Sequence, residues 1–512
     1  MERSIITWLV LVCSFAGCTQ PKEQVEQWAV FEVALNGPDT GSPFMDVELS
    51  AVFTRGDETI RVPGFYDGEG NYRIRFSPPD QGVWAYQTES NASGLSGRKG
   101  KFLCVPATGN NHGPVIIVNT FYLQYADGTP YYAVGTTAYQ WTSVKQKIQS
   151  RTLQTLAKAP FNKIRMCVFP KSYRYGNDTE PWMYPFRREG EENDFTTPHF
   201  EFFRNFDQRV AQLLERGIQT DVILFHPYDA WGYCAMGKEM NERYVRYMIA
   251  RLSAYRNVWW SLANEWDVPE IREAIDWEGI GTLLQQEDPH QRFRGIHNWY
   301  NSEDHFYDHS RPWITHVSAQ TSQFYHAIKW RDRYQKPLLF DEMRYEGDVP
   351  SGWGNLSAEE MVSYFWMAGL SGGYGTHGDT YRNDADDSTE VRWWAKGGTL
   401  PGASPERIAF FRSIMEQAPV PEMAPLLIDN GDPENLQNNM YVFCKKGEYY
   451  LAYVAEGGHT VAIDLPGDRT YRVDLIDTWN MEITPYEREY NGQGDFELPA
   501  RPYMALRIVK QD

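Results

Sequence analysis

The 512-residue chain is poor in cysteine, with 6. After Cys18 there remain Cys104, Cys167, Cys234 and Cys444, far apart and with no CxxC or Cys/His ligand spacing. That removes the common structural zinc sites. Cys167 lies inside an apolar run and reads as a buried thiol, whereas an exported chain would also permit disulfides. Positive charge is the scarcer sign: 49 Lys and Arg face 68 Asp and Glu, a formal net charge of -19. Non-specific binding to nucleic acid or to an anionic membrane needs basic clusters, so the balance argues against both, although a local basic pocket stays open. Past the N-terminus no apolar run approaches the ~20 residues of a membrane-spanning helix. Charge-rich, aromatic-poor tracts are also missing, which excludes large-scale disorder.

Aromatic residues are abundant, at 15% of the chain with 18 Trp and 32 Tyr. They serve either to pack cores or to stack on the C–H faces of sugars, and composition alone does not separate the two. At the N-terminus Arg3 precedes the apolar run 5–12, and small residues end in Ala16-Gly17-Cys18. This is an export signal that resembles the bacterial lipobox, with Phe15 where Leu is usual. It implies cleavage after residue 18-minus-one, a lipid anchor on Cys18, and a periplasmic or cell-surface location. Residues 19–27 are polar and read as a tether.

Three domains follow. Residues 28–107 show short alternating strands separated by turn clusters such as Asp67-Gly68-Glu69-Gly70, the pattern of an Ig-like β-sandwich. Residues 130–418 switch to strand-then-helix grammar, with strands expected at 131–136, 163–169, 220–225, 258–263, 293–297, 313–317, 337–341 and 372–376. Eight such units fit a (β/α)8 TIM barrel. Residues 421–512 return to β patterning and are expected to form a second β-sandwich.

Barrel enzymes carry their reactive groups at the C-terminal ends of the strands. Those ends supply Arg165, His226, Asn264-Glu265, His297, His316, Asp341-Glu342 and His377. Two ends share one design, an apolar strand that stops at a polar pair: Trp259-Trp260-Ser261-Leu262-Ala263-Asn264-Glu265 and Pro337-Leu338-Leu339-Phe340-Asp341-Glu342. At ~31 residues per unit the two glutamates lie two to three units apart, on strands four and seven. Either can be a structural acid, but a facing carboxyl pair is what glycoside hydrolysis requires. One carboxylic acid protonates the leaving oxygen and a carboxylate stands on the other face of the sugar. The histidines divide between hydroxyl contacts and capping, and Asp229, Asp267 and Asp341 read as loop-capping or supporting residues. Trp141, and Trp182 in the long aromatic segment after strand two, are candidate sugar-stacking residues, with self-packing as the alternative. The segment 377–401, with Trp393-Trp394, carries the same two readings. No cofactor is called for. A His226/Asp229/Glu265 metal site is allowed by residue type and is not expected.

Asn-Glu after strand four with Glu after strand seven resembles glycoside hydrolase clan A, which includes many cellulases, mannanases and β-galactosidases. The runs Phe161-Asn162-Lys163-Ile164-Arg165-Met166-Cys167-Val168-Phe169-Pro170-Lys171 and Leu224-Phe225-His226-Pro227-Tyr228-Asp229 are similar to a bacterial group provisionally assigned as glycoside hydrolases, which carries the domains of unknown function 5060 (N-terminal) and 5605 (C-terminal). The resemblance implies a retaining hydrolase acting on a poly- or oligosaccharide, with Glu265 as acid/base and Glu342 as nucleophile. It also implies Asn264 as donor to the substrate 2-hydroxyl. A retaining pair would sit ~5–5.5 Å apart. Trp259, Trp260 and Trp266 are expected to raise the Glu265 pKa, and Arg165 to keep Glu342 ionised. The rival reading is a non-catalytic glycan-binding surface lipoprotein.

Overall fold

The structure is a computed structural model that describes residues 23–172, 175, 180–299, 306–383, 391–426, 440–456, 460–486, 490 and 494–511. Cys18 and the export signal lie outside the described residues, as does Tyr173.

The centre is a ring of eight parallel strands: β1 (Gly135–Thr137), β2 (Lys163–Cys167), β3 (Gln219–Phe225), β4 (Val258–Ala263), β5 (Arg294–Gly295), β6 (Val317–Gln320), β7 (Leu338–Glu342) and β8 (Tyr374–His377). Hydrogen bonding runs β5-β4-β3-β2-β1-β8-β7-β6. A parallel bridge between His297 and Ser318 joins β5 to β6 and closes the TIM barrel. Every residue of β3 and β4 is buried, because the helices cover one face of the strands and the barrel core the other. The longer helices are α1 (Gln146–Leu156), α2 (Phe200–Glu215), α3 (Lys238–Leu252), α4 (Trp277–Glu287), α5 (Ala327–Tyr334), α6 (Ala358–Leu370) and α7 (Ser404–Gln417). Among the described residues no helix separates β5 from β6. Phe202, Phe206, Val210 and Leu213 form the buried stripe of α2, and Gly217 follows that helix at φ +70°, a conformation that favours glycine.

Strands β3 and β4 sit where the apolar runs place them. Others shift. The run 131–134 is buried ahead of β1 and does not itself form the strand. Gly372 at φ +78° ends α6, so β8 starts at Tyr374. The apolar run 313–317 does not form β6, which begins at Val317. Trp313 instead packs against Gly281 of α4 and donates its indole N–H to Glu278. Hydrophobicity there serves the helix layer.

The barrel interior is charged. Lys163 Nζ donates to Asp221 and to Asp341, at 2.7 Å each. Arg165 Nε lies 3.4 Å from Asp221, and Ser318 donates to Asp341. Two cations and two carboxylates balance one another beneath the mouth.

The N-terminal domain is a β-sandwich. Its strand Glu58–Tyr66 serves both sheets, pairing first with Leu49–Arg55 and, beyond Pro63, with Asn71–Phe76. Residues 24–26, read from their polarity as part of a tether, form an edge strand against 103–105. An edge strand needs few apolar side chains, so polarity did not reveal it. A buried ion network fixes this domain to the barrel: Asp207 of α2 accepts from Arg75 and from Arg251 of α3, and Arg251 also reaches Asp67. At the other end, the six-stranded sheet of the C-terminal domain lays Tyr453 on Trp366 of α6, with ring centroids 5.6 Å apart, and its hydroxyl bonds Ser363. The paired strands Thr460–Ile463 and Gly494–Glu497 form the domain's separate two-stranded sheet. No described helix is long and apolar enough to cross a membrane.

Candidate active site

Two local departures from regular backbone bring the glutamates to the mouth. At the end of β7 the pairing with β6 slips: Ala319 opposes Phe340, and Gln320 opposes Glu342. Asp341 is the extra residue of a β-bulge, which re-aims the side chains around it. Without the bulge, alternation would send Asp341 and Glu342 to opposite faces. With it, Asp341 joins the interior ion network while Glu342 lines the cavity above. At the end of β4, Glu265 adopts φ +59°, a left-handed backbone that a non-glycine residue keeps only where its surroundings hold it. The Glu265 amide donates to Nδ1 of His297 at 3.4 Å.

Both carboxyls open into one cavity of about 380 Å³ at the C-terminal mouth. Its walls are aromatic. Trp353 stacks on Trp394, with centroids 5.6 Å apart and planes at 16°. Tyr175, Tyr228 and Trp299 complete the rim, and Trp299 is 45% exposed. Polar groups converge on the glutamates. The Tyr139 hydroxyl donates to Glu342 Oε2 at 2.8 Å. Tyr345 stands 3.2 Å from that hydroxyl. Gln320, with its amide oriented to satisfy its neighbours, donates to Glu265 Oε1 at 3.1 Å. Burial raises the Glu265 pKa from 4.5 to about 7, and the charge of Glu342 adds to the rise. Lys171 and Tyr228 oppose it. The cavity thus holds a carboxyl that keeps its proton near neutrality beside a second carboxyl that accepts a hydrogen bond. Such a pair has the protonation contrast that acid–base and nucleophilic catalysis use, and the aromatic walls offer flat faces to a ring-shaped ligand.

The model of the apiosidase-like catalytic domain matches residues 118–422, more than half of the chain. The chain belongs to the apiosidase-like family. Its flanking domains match the models of the domains of unknown function 5060, over residues 24–91, and 5605, over residues 439–509. A crystal structure of a provisionally assigned glycoside hydrolase from Bacteroides vulgatus ATCC 8482 is 36% identical, covering 96% of this chain and 100% of that one at a TM-score of 0.87. A family 5 glycoside hydrolase from the same organism shares the fold at 15% identity, covering 78% of this chain and 93% of that chain with a TM-score of 0.61. No curated protein matches. The apiosidase-like chain is therefore a glycoside hydrolase-like barrel protein, and a carbohydrate is the substrate class that goes with it.

Within this apiosidase-like barrel the residues expected at the site fall into three groups. Glu265 and Glu342 line the cavity. Asn264 is fully buried next to Glu265, and neither atom of its amide has a hydrogen-bond partner. Arg165 and His297 sit just beneath. Arg165 Nη1 donates to the Asp341 carbonyl at 3.3 Å, so it reaches Glu342 only through space. His297, held well below the ordinary histidine pKa by burial, is neutral and supports the Glu265 backbone.

The structure places the remaining expected residues outside the cavity lining. His226 is buried with a pKa lowered to about 3 by desolvation, and its Nε2 bonds the Phe169 carbonyl. It braces the loop after β2. His316 precedes β6 and faces the interior near Trp259, with centroids 5.8 Å apart, at the end away from the mouth. His377 stacks on Phe161 with centroids 4.8 Å apart and lies 3.8 Å from Glu346. Trp141 is fully buried and donates to Met166 Sδ, so it is a core residue. Trp182 is 43% exposed but lines a separate groove with Tyr184 and His199. Asp229 caps its own loop, accepting from the amides of Trp231, Gly232 and Cys234.

Tyr139, Lys171, Tyr228, Trp299, Gln320, Tyr345 and Trp353 line the cavity and were not among the expected site residues. Most stand two to five residues beyond a strand's last residue. Reading each mouth loop that far would have found them, whereas taking the first polar residue after each strand did not.

Proposed function

We propose that this protein hydrolyses a glycosidic bond with retention of configuration, Glu265 acting as acid/base and Glu342 as nucleophile. One observation carries the reading: the carboxyls ending β4 and β7 share one aromatic cavity in which Glu265 has a pKa raised to about 7 while Glu342 accepts from Tyr139. In the first half-reaction Glu342 attacks the anomeric carbon and Glu265 protonates the departing oxygen. In the second, Glu265 takes a proton from water, which displaces Glu342. The unpartnered, buried amide of Asn264 suits a substrate hydroxyl.

The test is turnover by the purified protein on a panel of polysaccharides and aryl glycosides, with apiosides as one arm because of the family description. NMR of the first-formed anomer reads the stereochemistry. Retention, loss of turnover in E342A, and an E265A defect greatest for poor leaving groups support the reading. Inversion overturns the retaining mechanism. Binding without turnover across the panel returns the glycan-binding lipoprotein. We also propose export and lipid anchoring at Cys18, on the strength of the Ala16-Gly17-Cys18 motif.

A further inference from the structure

We propose that Lys171, clamped between Tyr139 and Tyr228, is the positioning residue that keeps one negative charge stable on the Glu265/Glu342 pair through both halves of the reaction. This rests on the two-carboxylate reading above. Lys171 is 6% exposed and lines the cavity with both glutamates. Its Nζ lies 3.8 Å from the Tyr139 ring centroid and 4.3 Å from that of Tyr228. Each of those tyrosines stands at one carboxyl: Tyr139 donates to Glu342, and Tyr228 lines the cavity beside Glu265. A single ammonium therefore lies against the ring that flanks each carboxyl, and attracts both carboxyls through space.

The surroundings leave this task to Lys171. On β2, Arg165 has its charge answered by Asp221 and Asp341. The Cys167 thiol is pushed up to about 12 by burial and stays neutral. Beyond β3 and β5, His226 and His297 are held neutral by desolvation. Beyond β4, Asp267 adds negative charge near Glu265. Beyond β7, Tyr345 has its ionisation suppressed by burial and by Glu342. Burial, with a smaller contribution from Arg165, disfavours the Lys171 ammonium, and Glu265 and Glu342 favour it. The balance matters because the charge moves. Before reaction it sits on Glu342, with Glu265 protonated. In the glycosyl-enzyme Glu342 is an ester and the charge sits on Glu265, which must then act as base. A cation beside both stabilises either arrangement.

The experiment uses the mature protein with Lys171→Met, Lys171→Gln and Lys171→Arg, each checked by near-UV circular dichroism. Carbodiimide-driven amidation, read by peptide mass spectrometry across pH 4–9, titrates Glu265 without any substrate. Loss of the cation should move the Glu265 midpoint up by ~1 pH unit or more in whichever of K171M and K171Q keeps the native spectrum, with K171R close to wild type. On an activated aryl glycoside, where the second half-reaction limits, kcat should fall ~10-fold with kcat/KM less affected. A Glu265 midpoint unmoved in a natively folded K171M or K171Q overturns the inference. Wild-type protein that turns over nothing ends the glycosidase reading instead, so the two failures are distinguishable.

Discussion

Replacing Glu265 by Gln should stabilise the protein at pH 8 and leave it almost unchanged at pH 4.5. The folded protein holds the Glu265 proton to about pH 7, against an ordinary value of 4.5. Between those values the native state binds more protons than the unfolded chain, so stability falls as pH rises. The contribution is fully present below 4.5 and lost above about 7. At ~1.4 kcal/mol per pH unit the loss is about 3 kcal/mol, and with Glu265 5% exposed little is screened by solvent. Gln keeps the shape and carries no charge. The Gln320 donor still finds an oxygen, and Oε2 of Glu265 has no hydrogen bond to lose. With an unfolding entropy of ~2.1 cal/mol/K per residue, 3 kcal/mol corresponds to a Tm rise of about 3 °C if the whole chain melts together, and more if the barrel melts alone. Differential scanning fluorimetry from pH 4.5 to 8.5 reads it. A Tm difference between E265Q and wild type that is the same at pH 5 and pH 8 would refute the claim that the site stores an electrostatic cost in Glu265.

Three further outcomes follow from particular contacts. Tyr139→Phe removes the donor to Glu342, a hydrogen bond to a charged group worth ~1.5–3 kcal/mol, and should lower kcat/KM ~10- to 100-fold on the aryl glycoside that the wild type prefers. An unaltered rate would show that this hydroxyl does not hold the nucleophile. Asp207→Ala removes the carboxylate shared by Arg75 and Arg251 at the buried contact between the N-terminal sandwich and the barrel, leaving Arg75 with Glu32 and Arg251 with Asp67. It should cost ~3–5 kcal/mol in thermal unfolding, and a wild-type Tm would count against a structural lock there. Cys18→Ala should move the protein from the membrane fraction to the soluble one, and membrane association that persists would remove the anchor.

Much of the architecture was legible because burial on both faces leaves a plain trace. Val258–Ala263 is apolar but for Ser261, is buried throughout, and ends at Asn264-Glu265. Helical spacing in Phe202, Phe206, Val210 and Leu213 marks α2 in the same way. Legibility failed where an apolar run serves a different layer. Trp313 packs on α4, so β6 starts later, and His316 falls at the base of the barrel. It failed again for aromatics. Trp141 and Trp394 look alike as letters, yet one is wholly buried with its indole N–H on Met166 and the other stacks on Trp353 at the cavity.

The hardest part to read was the register of the site, and physical reasons explain why. A strand pattern of period two cannot say which of Asp341 and Glu342 faces the mouth. The β-bulge decides it, by giving Asp341 to the Lys163 network and Glu342 to the cavity. Nor does a pattern reveal that Glu265 sits at φ +59° with its amide on His297. Both are local departures that regular structure would penalise, and both stand at the carboxyls proposed to do chemistry. The cost is met by the layer beneath. Lys163, Arg165, Asp221 and Asp341 form a balanced buried network, and a network so fixed gives the bulge one register. Its charges cancel internally, so the field at the two glutamates falls to the groups above it. That is why Lys171, four residues past β2 and absent from any reading of strand ends, is the cation on which the site's protonation should depend.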